Sequence, residues 1–257
     1  ESFLPQRNLR EGVFQQSLRP DDFSSAQLQL LRLPQNLSLF LSAHSWDDGR
    51  PRFETSKDLF DLYWDHKREN VRLRAETEDH WIETIDILSD RMSSTQQLSA
   101  PLVILDSVPL AYINGMASEG VIAKDDHRCA FGHESFFDYC FARTFVRRGD
   151  SLVSFLQNDQ QHLFRRAQVR QILAYLREAD REQYIGQSSE MLFSQQIRGH
   201  IKQLALDLMC SRGQAGDEEW EVLSPFIRSE MKSIAAQEPN ESKVASMAWR
   251  HFFGSKP

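Results

Sequence analysis

The histidine at position 133 stands where a protein chain most readily binds an anion. His133 follows Gly132 and precedes residues 134–146, an aromatic-rich stretch that predicts a helix buried on most of its faces. The first N–H groups of a helix have no partner within it, so a helix start attracts negative charge. The imidazole and these N–H groups are therefore a candidate phosphate contact. The residue types alone favour a simpler interpretation, in which the ring fills a packing gap or satisfies the backbone.

Motifs of common enzymes are absent from the sequence. It contains no G-x-x-x-x-G-K-[ST] phosphate loop, no G-x-G-x-x-G and no G-x-S-x-G, and its 11 glycines are scattered singly. Neighbouring carboxylates, Asp47 with Asp48 and Asp125 with Asp126, fall in predicted turns, and turn propensity explains them. We therefore predict no catalytic residue in this stretch of chain and no activity from it alone.

Cysteine and histidine spacing gives no sign of a metal site or a disulfide framework. Cys129, Cys140 and Cys210 are far apart and include no C-x-x-C pair. The other histidines lack the mutual spacing of metal ligands, and we interpret them as structural or surface residues: His44, His66, His80, His127, His162, His200 and His251. An odd number of distant cysteines favours a reducing compartment, so we expect a cytoplasmic protein without a bound metal.

Composition and charge narrow the classes of partner. The chain has 257 residues, of which 40% are hydrophobic and 26% are charged, and its formal net charge is −7. These values are typical of a globular protein of one large domain or two ordinary ones. Net negative charge repels phosphate backbones, and no apolar run reaches the roughly 20 residues of a membrane span. We therefore expect neither direct nucleic-acid binding nor a membrane partner. Because the chain opens with Glu1 rather than Met, we expect a piece of a longer polypeptide.

Residues 1–76 predict a small helical bundle. Residues 21–25 offer N-caps for a short helix, and Pro34, whose fixed φ suits a first helical turn, is expected to start the next one. A polar loop at 45–52 then precedes a long helix that Thr55 or Ser56 can cap.

Residues 77–147 predict a winged-helix domain. Thr77 is expected to begin one helix, and a second follows Pro109 and ends before Gly120, a suitable C′ residue. Short apolar runs on both sides of the Asp125-Asp126 turn predict a β-hairpin, and the aromatic-rich helix follows it. The order helix, helix, hairpin, helix is that of a winged helix.

Residues 148–257 predict an arm similar to an α-solenoid. Three amphipathic stripes, at 169–176, 201–209 and 244–252, have the spacing of helices that bury one face. Asp217 can cap a further helix, which Pro225 is expected to interrupt. No repeat of fixed period is present, so the sequence supports no named repeat class. The expected fold class is thus mainly α, with one short hairpin.

Two stretches of the sequence resemble the NACHT-type STAND family of signal-transducing ATPases. Residues 30–40 (LLRLPQNLSLF), followed by residues 55–68 with their LFDLY core at 59–63, resemble the helical domain that follows the nucleotide-binding core of that family. Residues 131–142 (FGHESFFDYCFA) are similar to the signature of its winged-helix domain, in which Phe-x-His is followed after three residues by Phe-x-acidic-Tyr/Phe. The resemblance covers roughly residues 20 to 147, and the helical remainder resembles the arm that often follows.

The resemblance implies a nucleotide between these domains and a P-loop core. Pro34 corresponds to the lid proline that packs on adenine, although a plain helix start explains it equally well. His133 corresponds to the histidine that contacts the phosphate, which favours this role over the simpler interpretation. ADP or ATP would be bound mainly by a core that these residues do not contain, and the parent chain would hydrolyse ATP.

The function implied by the resemblance is that of a regulatory lid. Such a lid senses bound ADP or ATP and couples nucleotide exchange to homo-oligomerisation, in bacteria frequently for antiviral defence. Its first partner is the P-loop core of the same protein. The alternative is a non-enzymatic adaptor or scaffold whose arm binds a partner protein. A winged-helix transcription factor ranks below both, because residues 109–118 contain no Lys or Arg. Arg147 and Arg148 are expected to complement the dipole of their helix.

Overall fold

The described part of the chain is mainly helical, as the sequence predicts. A computed structural model describes residues 22–43, 53–158, 161–210 and 216–236. Within them are eleven α-helices and one three-stranded antiparallel sheet. The chain divides into two compact units, Glu1–Lys67 and Arg68–Pro257. The domain boundaries expected at 76/77 and 147/148 stay predictions.

The first unit is built from short helices around an aromatic core. It contains α1 (Ser25–Leu31), α2 (Pro34–Ala43) and the start of α3 (Ser56–Ala75). Ser24 and Gln27 form a capping box at α1, since each side chain accepts a hydrogen bond from the other residue's backbone N–H. The core consists of Phe40, Phe53 and Leu59, with Phe23, Leu30 and Leu31 packed against it. The helix starts predicted near Ser24 and at Pro34 are confirmed, while the loop at 45–52 lies outside the described residues.

The second unit begins within α3 and contains all the remaining elements. In chain order they are α4 (Trp81–Thr95), β1 (Ala100–Pro101), a 3-10 helix (Leu102–Leu105), α5 (Leu110–Ser118), β2 (Ile122–Lys124), β3 (Arg128–Phe131), α6 (Glu134–Arg148), α7 (Leu152–Gln157), α8 (Leu163–Ala179), α9 (Arg181–Phe193), α10 (Gly199–Cys210) and α11 (Asp217–Ala236).

The small sheet has β3 at its centre. Its strand order is β1-β3-β2, with Ala100 opposite Cys129 and Ala123 opposite Ala130. The hairpin of β2 and β3 is the one that the sequence predicts. The edge strand β1 was not expected, because two residues carry no periodicity and their pairing depends on a partner far along the chain.

Helix α6 forms the centre of the second unit. It packs against α4 and most extensively against α8. Ring contacts with α8 include Phe137 with Phe164, at 6.1 Å between centroids, and Tyr139 with Tyr175, at 5.9 Å. The predicted burial of this helix on most of its faces is therefore confirmed.

Two predicted helix limits are wrong. Helix α4 begins at Trp81 rather than at Thr77, because the Asp79 carboxylate accepts a hydrogen bond from the Trp81 N–H at 3.0 Å. Pro225 lies inside α11 and does not end it. A proline inside a helix costs about 3 kcal/mol, but Leu223 and Phe226 beside it are buried and offset that cost. The helix end predicted at 212–213 and the helix predicted at 244–252 lie outside the described residues.

A buried ion cluster fastens α11 to α8 and α9. The Glu219 carboxylate is almost fully buried and accepts from Arg177 at 3.0 Å and from Arg181 at 3.2 Å. It also accepts from the Gly216 N–H at 2.9 Å. Burial alone would raise the pKa of Glu219, but the Gly216 N–H and the two guanidinium groups hold that pKa below its usual range. Breaking this cluster would leave a buried charge without a partner.

Candidate functional site

His133 lies between the end of β3 and the start of α6. Its backbone is extended, with φ −137° and ψ 131°, and it is the N-cap of α6. Its carbonyl oxygen accepts from the N–H groups of Phe136 and Phe137 at 3.0 and 3.1 Å. The side chain is exposed, makes no capping bond and has no hydrogen-bond partner among the described residues. The imidazole is therefore open to solvent at the electropositive end of a helix.

Gly132 holds His133 in place through a very close backbone contact. A Cβ at Gly132 would lie 2.2 Å from the carbonyl oxygen of Gly120, a distance that no side chain tolerates. The Gly132 N–H also donates to the Val121 carbonyl at 2.9 Å. Gly120 has a φ of 71° and follows the end of α5, as the sequence predicts. Only glycine at 132 allows this approach.

The first turn of α6 rests on an aromatic base. The Phe131 ring lies 5.9 Å from Phe136 and 5.7 Å from Phe137, and all three side chains are buried. Because these rings fix the start of the helix, its free N–H groups have a defined direction. Glu134 lies in this first turn, where a carboxylate interacts favourably with the helix dipole.

One turn further along α6, a carboxyl group has an unusual acidity. Burial and, to a smaller extent, the negative charge of Glu134 raise the pKa of Asp138 to about 6. Asp138 is the acidic residue of the Phe-x-His signature, but its titration was not foreseen. A carboxylate four residues after another on an aromatic-rich helix is the signal that would have found it.

A second polar cluster lies where α3, α4 and α5 meet, around Asp79. Its carboxylate accepts from Arg68 and, at 2.8 Å, from the Tyr112 hydroxyl. Partial burial works against ionisation, yet Arg68, the Trp81 N–H and Tyr112 hold the pKa of Asp79 below its usual range. Burial and the adjacent Asp79 charge raise the pKa of Tyr112. Both oxygens of this carboxylate are used in hydrogen bonds that hold the three helices together.

Beside it, a serine, a glutamate and a histidine are in contact but in the wrong order for catalysis. Glu83 accepts from the Ser107 hydroxyl at 3.0 Å and lies 2.9 Å from Nδ1 of His80. In a nucleophilic triad the imidazole lies between the hydroxyl and the carboxylate, so that it can take the hydroxyl proton. Here the carboxylate lies in the middle, and the arrangement cannot activate Ser107.

Pro34, the other predicted site residue, is the first residue of α2. It is exposed, and the turn before it is held by a hydrogen bond from the Asn36 side chain to the Leu30 carbonyl at 3.0 Å. Pro34 lies in the first unit and His133 in the second. Their common role toward a nucleotide stays a prediction.

Comparison with protein-family models and with curated proteins finds no match. The resemblance to NACHT-type ATPases therefore stays a hypothesis drawn from the sequence. In the described ranges, no group of three or more His, Cys, Asp or Glu side chains is arranged to hold a metal ion. Nor is any helix there both long and apolar enough to cross a lipid bilayer.

The opposite end of α6 carries ion pairs that the sequence did not disclose. Arg148 binds the Asp90 carboxylate through two hydrogen bonds, at 2.9 and 2.8 Å. Arg147 pairs with Asp86, which also accepts from the Thr144 hydroxyl at 2.9 Å. The sequence predicts that both arginines interact with the helix dipole, and the structure adds these contacts with α4.

Proposed function

We propose that this chain is the regulatory lid of a NACHT-type STAND ATPase in the cytoplasm. Residues 1–76 would be a helical domain, 77–147 a winged helix and 148–257 a solenoid-like arm. The lid would sense ADP or ATP on a P-loop core of the same protein and couple nucleotide exchange to homo-oligomerisation. Bacterial antiviral defence is the setting that the resemblance favours.

The observation that carries the proposal is the free imidazole of His133. It is exposed at the start of a helix whose first turn is fixed by buried rings, and it has no partner among the described residues. An imidazole N–H beside free backbone N–H groups suits a phosphate oxygen. The order of α4, α5, the hairpin and α6 is that of a winged helix, which supports this part of the proposal. In the family that the sequence resembles, the winged-helix domain carries the histidine that corresponds to His133.

Pro34 supports the proposal in a weaker way. It stands exposed at the start of α2, where the proline of the resembling helical domain would meet adenine. A proline ring offers a compact apolar surface without a competing N–H group. A plain helix start explains the same residue, so Pro34 adds little weight on its own.

The test is ADP retention by the full-length protein with its proposed P-loop core. We expect His133→Ala to release bound ADP at least tenfold faster, since a tenfold change corresponds to about 1.4 kcal/mol and a charge-assisted bond contributes about 1.5–3 kcal/mol. The variant should also self-assemble at a lower ATP concentration, because the closed state is weakened.

His162→Ala is the matched control for this experiment. His162 is likewise an exposed N-cap histidine without a capping bond, at the start of α8. It should retain ADP as the parent protein does. Equal release from both variants would refute the role of His133, and a full-length protein that never binds nucleotide would favour the adaptor or scaffold alternative.

A further inference from the structure

A cleft of about 280 Å3 opens among α4, α6, α7 and α8 in the second unit. Cavities of about 150 Å3 hold benzene, and pockets for drug-sized ligands begin at about 300 Å3. The cleft therefore has room for a molecule of one or two rings.

Three phenylalanines form one wall of the cleft. Phe141 and Phe145 come from α6, and Phe155 comes from α7. The Phe155 ring lies 5.7 Å from Phe141 and 5.5 Å from Phe145, so the three rings form one cluster. An aromatic ligand in the cleft would extend this cluster in the tilted and edge-on geometries that such rings prefer.

Ser93 brings an unused hydrogen-bond donor to the same cleft. It is 4% exposed, and its Oγ accepts from Nη1 of Arg165 at 2.7 Å. The hydroxyl can also donate one hydrogen bond, but no described residue accepts it. Since buried donors are normally satisfied, an acceptor atom on a ligand would complete this group.

Three of the four charged residues that line the cleft, Asp90, Arg148 and Arg165, are engaged with one another or with neighbouring side chains. Arg165 donates from Nη1 to Ser93 and Gln168, and its guanidinium lies 4.5 Å from the centroid of Phe155. Arg148 is bound by Asp90 through two hydrogen bonds. These contacts favour a neutral ligand over an ionic one.

We propose that this cleft binds a small neutral aromatic molecule that carries a hydrogen-bond acceptor. The ring would lie against Phe141, Phe145 and Phe155, and the acceptor would accept a hydrogen bond from the Ser93 hydroxyl. A bound molecule would contact residues of α4, α6, α7 and α8. The proposal does not depend on the nucleotide site at His133.

Two ligands of similar size test the proposal on the full chain. Acetophenone has one ring and a carbonyl acceptor, while ethylbenzene has the ring alone. Isothermal titration should give saturable, millimolar binding of acetophenone and at least fivefold weaker binding of ethylbenzene. No saturable binding of acetophenone would overturn the proposal, and equal affinities would overturn the role of Ser93. This comparison needs no variant, so it stands whether or not an altered chain folds.

Neighbouring hydroxyl residues on α4 provide a matched pair of variants. Ser94 and Thr95 are both exposed and both donate to the Arg91 carbonyl, at 3.1 and 2.8 Å, but only Ser94 lines the cleft. Ser94→Trp should obstruct the cleft and reduce acetophenone affinity at least tenfold. Thr95→Trp should keep the affinity within twofold. Equal affinities in the two variants would place acetophenone elsewhere on the chain and refute the site.

Discussion

The two ends of α6 differ in how their polar groups are used. At the C-terminal end, Arg147 and Arg148 pair with Asp86 and Asp90 of α4. At the N-terminal end, the His133 side chain meets solvent and has no partner among the described residues. The helix between them is buried, so the contrast concerns the ends alone.

This difference separates charged groups that stabilise the fold from polar groups that are available to a ligand. A cation near a helix C-terminus is stabilised by the dipole, and here each arginine also has a carboxylate opposite it. The N-terminal end has free N–H groups and an open imidazole, which is the combination that a phosphate oxygen requires.

Removing Asp86 should cause the largest loss of stability. Asp86→Ala leaves the hydroxyl of Thr144, a residue only 4% exposed, without its acceptor and frees Arg147. Because an unsatisfied buried group costs about 1–3 kcal/mol, we expect the free energy of unfolding to fall by about 2–3 kcal/mol. Urea denaturation of the chain measures this loss.

Asp90→Ala is the control for that experiment. Its side chain is 48% exposed, so its pair with Arg148 should contribute less than about 1 kcal/mol. If both variants lost the same free energy of unfolding, the buried Thr144 hydroxyl would contribute nothing to the stability of the C-terminal end. The contrast between the two ends of α6 would then be weaker.

A pH-dependent effect is expected nearer the N-terminal end. Burial raises the pKa of Asp138 from 3.8 to about 6, so the folded chain keeps a proton that the unfolded chain has lost. Stability should therefore fall as pH rises through that interval and then level off. Asp138→Asn cannot ionise, and we expect it to exceed the parent by up to about 3 kcal/mol at pH 7.5, with no gain at pH 3.5. Parallel stability curves over this range would contradict the prediction.

The smallest effect is expected from His133 itself. His133→Ala should change the free energy of unfolding of the chain by less than about 0.5 kcal/mol, because the ring is exposed and has no described partner. His162→Ala should behave alike. A loss of several kcal/mol, measured by thermal or urea unfolding, would show that the ring is structural, and the two ends of α6 would then be equivalent.

Local sequence signals predicted the mainly helical class, the hairpin and several of the helices. Apolar periodicity indicated the helices, turn residues indicated the hairpin, and Gly120 marked the end of α5 correctly. The strand β1 was missed because it is two residues long and exists through pairing with β3. The start of α4 was misplaced because Asp79, rather than Thr77, accepts the first N–H bond, and the Asp79 carboxylate is itself bound by Arg68 and Tyr112.

The candidate sites also differ in whether their residues are close together in the sequence. His133 was identified because its glycine, its strand and its helix are adjacent in sequence. The Ser93–Arg165 contact joins residues 72 positions apart, and the Asp86–Arg147 pair joins residues 61 apart. Periodicity cannot reveal which distant side chains meet, so these groups required the folded chain.

The unbroken course of α6 has a mechanical consequence. Its 15 residues, at about 1.5 Å rise each, make a rod of roughly 22 Å between the imidazole and the arginines. The rod has no proline or internal glycine at which to bend. A force on the imidazole would therefore be transmitted along the rigid helix to Arg147 and Arg148, and to the aromatic rings of α8 that pack against it.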